Sequence, residues 1–223
     1  MSRVEVIGNA TLYLGDAREI VPTLDRNCAI VSDPPYGVPI LTNTAMGKRG
    51  GAVKKDGRAW SPVIGNDEPF DPSFLIEFAE VLLWGANHFA HRLESNGRWL
   101  IWDKRCGVVP QRTQADCELA WVKSYGAARM IRFLWDGICQ DEKKGARYHP
   151  TEKPEGVMAW CLQFIKAKTI VDPFMGSGST GVPAVKAGRE FIGCELDPTY
   201  FDTACKRIED AQRQGNLFTE AAA

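Results

Sequence analysis

Thr169-Ile-Val-Asp-Pro-Phe-Met-Gly-Ser-Gly-Ser-Thr-Gly181 is the stretch that decides the fold. Its first four residues form a short apolar run that stops at Asp172-Pro173, the pattern of a buried strand. Gly176, Gly178 and Gly181 then satisfy G-x-G-x-x-G, and a helical pattern over 180–187 follows. Glycines let a backbone turn tightly and approach a ligand without a Cβ clash. A helix N-terminus favours an anionic group there. A further strand pattern, Glu190–Glu195, ends in a carboxylate suited to ribose hydroxyls, about twenty residues beyond the first glycine. Alone, this arrangement fits NAD as well as any other adenosine-bearing cofactor. A phosphate-binding P-loop is excluded, because no lysine follows the last glycine.

The same punctuation recurs outward from this stretch. Residues 28–32 are an apolar run ending in Asp33-Pro34-Pro35, and residues 98–102 are a fourth candidate strand. Residues 117–123 and 129–135 read as a strand pair. Helical patterns span 72–83, 154–165 and 200–212, with Asp71 before Pro72 and Pro198-Thr199 before Tyr200 as helix starts. Strands alternating with helices predict an α/β fold with a mostly parallel sheet. Residues 37–60 show no periodicity, are rich in Gly, Lys and Arg, and read as a mobile functional loop. Apolar stripes such as the one holding Trp160 and Phe164 read as core.

Composition sets the outer bounds. The chain has 223 residues, 27 Lys+Arg against 28 Asp+Glu, and 44% hydrophobic residues. That excludes collagen, a coiled coil and a disordered tail, and it predicts one domain over 1–223. The net charge of −1 argues against a uniformly basic nucleic-acid coat. The charge is nonetheless polarised. Lys48, Arg49, Lys54, Lys55 and Arg58 face only Asp56 within 48–58, and residues 97–147 carry ten basic side chains against six acidic ones. Seven scattered cysteines without a Cys-x-x-Cys read as reduced thiols of a cytosolic protein. No metal is expected: His88 and His91 lack a matching ligand pair and read as surface or core histidines. The N-terminus shows no signal-peptide core, and no run approaches the roughly 20 apolar residues of a membrane span.

Asp33-Pro34-Pro35-Tyr36 separates the cofactor readings. A strand ending this way puts a carboxylate, a rigid turn and an aromatic ring at the carboxyl edge of a sheet. Prolines lack N–H groups, so their carbonyls can be aimed outward as acceptors. A carboxylate plus a carbonyl suits an amino group with two N–H donors, and the ring suits stacking on a planar base.

With both motifs in view, the chain resembles the β-class S-adenosylmethionine-dependent amino methyltransferases of DNA, in which the catalytic motif precedes the cofactor motif. Asp33-Pro-Pro-Tyr36 resembles the catalytic motif of adenine-N6 enzymes; Ser in the first place is more usual for cytosine-N4 enzymes. Asp172-Pro-Phe-Met-Gly-Ser-Gly-Ser-Thr180 resembles the cofactor motif. His149-Pro-Thr-Glu-Lys-Pro154, residues 83–89, residues 97–104 and residues 191–200 resemble the remaining family segments, so the likeness runs from about Thr11 to Ile208. It implies a Rossmann-like class I methyltransferase fold: a mostly parallel seven-stranded sheet, helices on both faces, and a small inserted target-recognition region at 105–148. The chain is short for such an enzyme.

The resemblance also implies a site. Asp33, Pro34, Pro35 and Tyr36 would be catalytic. Asp172, Phe174, Gly176, Gly178, Glu195, Thr151, Lys153 and Asn87 would bind S-adenosyl-L-methionine, with Asp172 near the methionine amino group and Thr151 and Lys153 near its carboxylate. Lys48, Arg49, Lys54, Lys55, Arg58, Arg105, Arg129 and Arg132 would contact DNA. The target base would flip out of the duplex. The partners implied are double-stranded DNA and a second copy of the chain, in a bacterial or phage-encoded cytoplasmic protein. The tail 213–223 contains Gln214-Gly-Asn-Leu-Phe218, which resembles the peptide that docks on the replication sliding clamp. An NAD-dependent oxidoreductase is disfavoured by the Asp-Pro-Phe entry to the glycine loop and by Asp33–Tyr36. An inactive DNA-binding remnant is disfavoured by intact Asp33, Tyr36, Gly176 and Glu195.

Overall fold

The computed structural model describes residues 3–37, 64–65, 67–107, 115–136, 139–141, 148 and 151–220. Lys48, Arg49, Lys54, Lys55 and Arg58 lie outside the described residues. In chain order the strands are β1 (Arg3–Ile7), β2 (Ala10–Leu14), β3 (Ala29–Ser32), β4 (Glu80–Trp84), β5 (Arg98–Asp103), β6 (Cys117–Val122), β7 (Arg129–Arg132), β8 (Trp135–Asp136), β9 (Cys139–Gln140), β10 (Thr169–Asp172) and β11 (Glu190–Glu195). The α-helices are α1 (Ala17–Ile20), α2 (Ser73–Ile76), α3 (Glu155–Leu162), α4 (Gly181–Lys186) and α5 (Pro198–Glu220).

One sheet of nine strands runs β1-β2-β11-β10-β3-β4-β6-β5-β7. The five strands from β2 to β4 are parallel to one another, as the α/β reading predicts. A separate two-stranded ribbon joins β8 and β9. Apolar side chains alternate between the two sheet faces. Ala29, Val31, Leu82 and Trp84 face the layer of α3, α4 and α5, with Met158, Cys161, Phe201 and Ile208. Ile30, Val81 and Leu83 face the other layer, with Ala17, Leu75, Phe78 and Phe89. Helices therefore cover both faces, and the central strands are apolar on every position.

The structure corrects the sequence reading at four points. The sheet has nine strands rather than seven. The hairpin β1–β2 at one edge has no counterpart in the sequence reading; its strands flank a turn at Gly8-Asn9. Residues 72–83 are not one helix. Only Ser73–Ile76 is helical, and Glu80–Trp84 is a strand. Val81, Leu82, Leu83 and Trp84 are all fully buried. Four consecutive buried residues suit a strand covered on both faces, whereas a surface helix would turn one of them to solvent. Finally, β6 and β7 are not partners: each pairs with a different side of β5.

Helix α5 continues to Glu220, so residues 213–220 are helical backbone. The Leu217 and Phe218 side chains lie outside the described residues. No described helix is long and apolar enough to cross a membrane.

Candidate active site

Strands β3 and β10 lie side by side in the middle of the sheet, and from them the order runs outward to β4 on one side and β11 on the other. Such a switch point leaves a crevice beyond the carboxyl ends of the strands. Here it is an open cleft. Its walls are Asp33–Tyr36, Thr151–Lys153, residues 172–177, residues 195–197 and residues 15–17. Topology thus brings Asp33, Pro34, Pro35, Tyr36, Thr151, Lys153, Asp172, Phe174, Gly176 and Glu195 to one cavity.

The glycine loop is braced from below by Asp172. Its Oδ1 accepts hydrogen bonds from Ser32 Oγ at 2.6 Å and from the Phe174 N–H at 3.1 Å. Its Oδ2 accepts one from Thr180 Oγ1 at 2.5 Å. Burial raises the Asp172 carboxyl to about 6, while these three hydrogen bonds oppose the rise. Both oxygens are committed to the loop, so Asp172 shapes the site from within. Gly176 and Gly178 have φ of +51° and +85°, a region that glycine occupies freely. Gly176 lines the cleft, whereas Gly178 abuts α5: a Cβ there would sit 3.4 Å from Ala204. Phe174 packs edge-on against Phe70 at 5.7 Å.

Glu195 ends β11. Its Oε1 accepts from the N–H groups of Leu196 at 2.9 Å and Asp197 at 2.8 Å. Burial raises its pKa, and these N–H groups with that of Gly176 hold it back. Beside it, Gly15 N–H donates to the Glu195 carbonyl at 2.9 Å, which places Asp16 on the same wall. Asp16 caps α1 and pairs with Arg18 at 2.6 Å.

On the opposite wall, Asp33 Oδ2 is 2.5 Å from Lys153 Nζ. Lys153 Nζ is also 3.1 Å from Glu118 Oε2, and Glu118 Oε1 is 2.9 Å from Lys104 Nζ. Asp33 Oδ1 is buried and has no hydrogen-bond partner among the described residues. Burial raises the Asp33 carboxyl, and the Lys153 charge restrains the rise. Burial also raises Glu118, yet the charges of Lys153 and Lys104 prevail and hold it at about 2. Burial disfavours the Lys153 charge, but Asp33 and Glu118 outweigh burial and hold its proton well above the usual lysine range. The Tyr36 ring stacks on His88, with centroids 4.7 Å apart and planes 4° from parallel. Burial, and then the Asp33 charge, keep its phenol protonated.

Lys153 does line the cleft, with its Nζ engaged by Asp33 and Glu118. Several expected residues stand elsewhere. Asn87 is exposed in the short turn Ala86–His88 and does not line the cleft. Arg105 is 6% exposed and pairs with Asp116 at 2.7 Å, so it belongs to the interior rather than to a DNA face. Arg129 and Arg132 are exposed on β7, the latter 3.6 Å from Asp103.

Other site residues escaped the sequence reading. Asp16 does so with the unforeseen hairpin whose second strand it follows. Glu118 carried a signal, since it is one acid inside the apolar run Cys117–Val122. Arg207 carried none. It donates to the Ser177 carbonyl at 2.7 Å, pairs with Glu152 and Glu155 at 3.1 Å each, and lies over the Tyr148 ring at 4.7 Å. It ties α5 to the glycine loop and to the segment carrying Lys153. Among the described residues, no group of His, Cys, Asp and Glu could hold a metal ion.

Comparison with known proteins gives this geometry a context. Residues 97–206 match the DNA methylase family of N6/N4 methyltransferases. The chain is 35% identical over 134 residues to the type II methyltransferase M2.LlaDCHI of Lactococcus lactis subsp. cremoris, covering 57% of this chain and 46% of the relative. It is 37% identical over 94 residues to the type II methyltransferase M2.DpnII of Streptococcus pneumoniae, covering 40% and 34%. The chain thus spans less than half the length of these relatives. Among solved structures, the cytosine-N4-specific PvuII DNA methyltransferase superposes with a TM-score of 0.57 at 13% identity, covering 94% of this chain and 93% of that one. At that identity the likeness speaks for the fold alone, an α/β class I methyltransferase architecture.

Proposed function

We propose, from the premise that the chain belongs to the N6/N4 amino-methyltransferase family, that it transfers a methyl group from S-adenosylmethionine to the exocyclic N6 amino group of adenine in DNA. One observation carries the reading. Asp33, which lines the cleft with Pro34 opposite the glycine loop and Glu195, holds a buried carboxylate oxygen with no hydrogen-bond partner among the described residues. A buried acceptor left unpaired is costly unless a ligand completes it.

The residues present suit the cofactor. Glu195 would take the ribose hydroxyls, with Asp16 a second acceptor beside it. Phe174 would pack near the adenosine, Gly176 would allow close backbone approach, and Thr151 would lie at the methionine end. Bound S-adenosylmethionine supplies an electrophilic methyl group on a sulfonium.

The chain's own residues do the rest. Tyr36 presents an aromatic wall to a base flipped from the duplex. Asp33 Oδ1 and the Pro34 carbonyl accept the two amino hydrogens, which draws the nitrogen toward tetrahedral geometry and frees its lone pair. Positive charge then develops on that nitrogen, and the Asp33 carboxylate stabilises it. No strong base is required, because the proton leaves late. The exposed Arg129 and Arg132, with Lys48, Arg49, Lys54, Lys55 and Arg58, would meet DNA phosphates.

The first residue of Asp33-Pro-Pro-Tyr36 favours adenine over cytosine, although the same two acceptors would serve cytosine N4. Mass spectrometry of nucleosides from DNA incubated with the protein and cofactor is the test. N6-methyladenine is expected, and it should vanish in Asp33→Ala while cofactor binding persists. N4-methylcytosine would transfer the reading to cytosine. Cofactor binding with no methylated base would refute it.

A further inference from the structure

Asp33, Lys153, Glu118 and Lys104 alternate in charge, within 2.5, 3.1 and 2.9 Å of one another in turn. They come from four separate segments: the turn after β3, the loop before α3, strand β6, and the end of β5. Lys153 is 5% exposed, with its Nζ 5.6 Å from the centroid of the Trp84 ring. We propose that Lys153 is a positioning residue for methyl transfer: it holds Asp33 Oδ2 so that Oδ1 points to the substrate amino group, and its charge keeps that carboxylate an acceptor. The proposal rests on the methyltransferase reading above.

The argument is one of satisfied and unsatisfied atoms. An ionised carboxylate only accepts hydrogen bonds, whereas a protonated one donates and would meet an amino N–H as a donor. A carboxylate buried without a counter-ion tends to neutralise. Among the described residues Lys153 is the cation in contact with Asp33, and Glu118, itself tied to Lys104, fixes it from behind. The other groups that face this cluster do not replace it. Tyr36 stays a neutral phenol, Asp172 is bound to Ser32 and Thr180 and is repelled by Asp33, and burial keeps the Cys161 thiol beside Lys153 protonated.

The test follows the Asp33 carboxyl by carbon-13 NMR on the aspartate-labelled full chain, beside the pH profile of methyl transfer and the calorimetric Kd for S-adenosylmethionine. Lys153→Met is expected to move the Asp33 midpoint and the acid limb of the rate up by about one to three pH units. Cofactor affinity should stay unchanged, and Lys153→Arg should restore the limb in part. Glu118→Gln is expected to move the midpoint down, because it removes a negative charge that opposes Asp33 ionisation. An unmoved midpoint in folded Lys153→Met overturns the proposal. Weakened cofactor binding with an unmoved midpoint overturns it too, and would return Lys153 to the methionine carboxylate. If Lys153→Met does not fold, Glu118→Gln decides, and an unmoved midpoint overturns the proposal. A wild-type chain that methylates no DNA would overturn the function while the carboxyl titration still reports whether Lys153 sets the charge of Asp33.

Discussion

Gly85→Ala would separate the geometry of Tyr36 from everything else in the site. Gly85 follows β4 with φ of +66°, and its N–H donates to the Leu119 carbonyl at 2.9 Å. A Cβ added there would lie 2.3 Å from both Cδ1 and Cε1 of Tyr36. Carbon atoms rest at about 3.5–4.0 Å, so the ring must retreat by about 1.5 Å. A misplacement of about 1 Å costs on the order of 100-fold in rate, and the expected loss in methyl transfer is of that size or larger. The positive φ adds about 1–2 kcal/mol of backbone strain, which a domain stable by about 5–15 kcal/mol survives. Tritium transfer from labelled cofactor to DNA gives the rate, calorimetry gives the cofactor Kd, and a thermal melt confirms folding. Cofactor affinity should not change, because Gly85 does not line the cofactor wall. In a Tyr36→Ala background the added methyl has room, so Gly85→Ala should cost less stability there than in the wild type. A folded Gly85→Ala protein that methylates at the wild-type rate would refute the reasoning.

Three further outcomes are expected. Asp172 has a folded pKa of about 6 against an ordinary 3.8. The stability it contributes is full below about pH 4 and lost as pH rises through about 6, so denaturant midpoints should show Asp172→Asn gaining on the wild type over that window, by about 3 kcal/mol in all. Glu195→Gln should weaken cofactor binding by about ten- to a hundredfold through loss of charged hydrogen bonds; calorimetry with an unaltered Kd would take Glu195 out of the site. Charge reversal at Lys54 and Lys55 should weaken DNA binding and flatten its salt dependence while sparing cofactor binding, as fluorescence anisotropy at two salt concentrations would show.

Much of the site was legible because its chemistry sits in contiguous motifs. Asp33-Pro-Pro-Tyr36 and the glycine loop each end a short apolar strand, and both reach the cleft as expected. Helix α2 and strand β4 were merged because Phe74, Leu75, Phe78, Val81 and Leu82 suit a helical period as well as a buried strand. Only the cover on both sheet faces distinguishes the two. The contacts of Lys153 were not legible in its own segment of sequence. Its nearest carboxylates, Asp33 and Glu118, are brought to it by strands 120 and 35 residues away in the chain. Arg105 read as a surface cation for the same reason: charge is visible in a sequence, burial is not.

The sequence by itself determined the α/β class and marked out Asp33–Tyr36 and the glycine loop, the two motifs that line the cleft, because local periodicity and glycine spacing are properties of neighbouring residues. Only the tertiary structure decided which oxygen of Asp33 is ion-paired and which is buried without a partner among the described residues, that Asp172 braces the loop from within, and that Tyr36 packs against Gly85 and His88. Those outcomes depend on contacts between distant segments, where the energies of burial and ion pairing are set by the whole fold rather than by any stretch of chain.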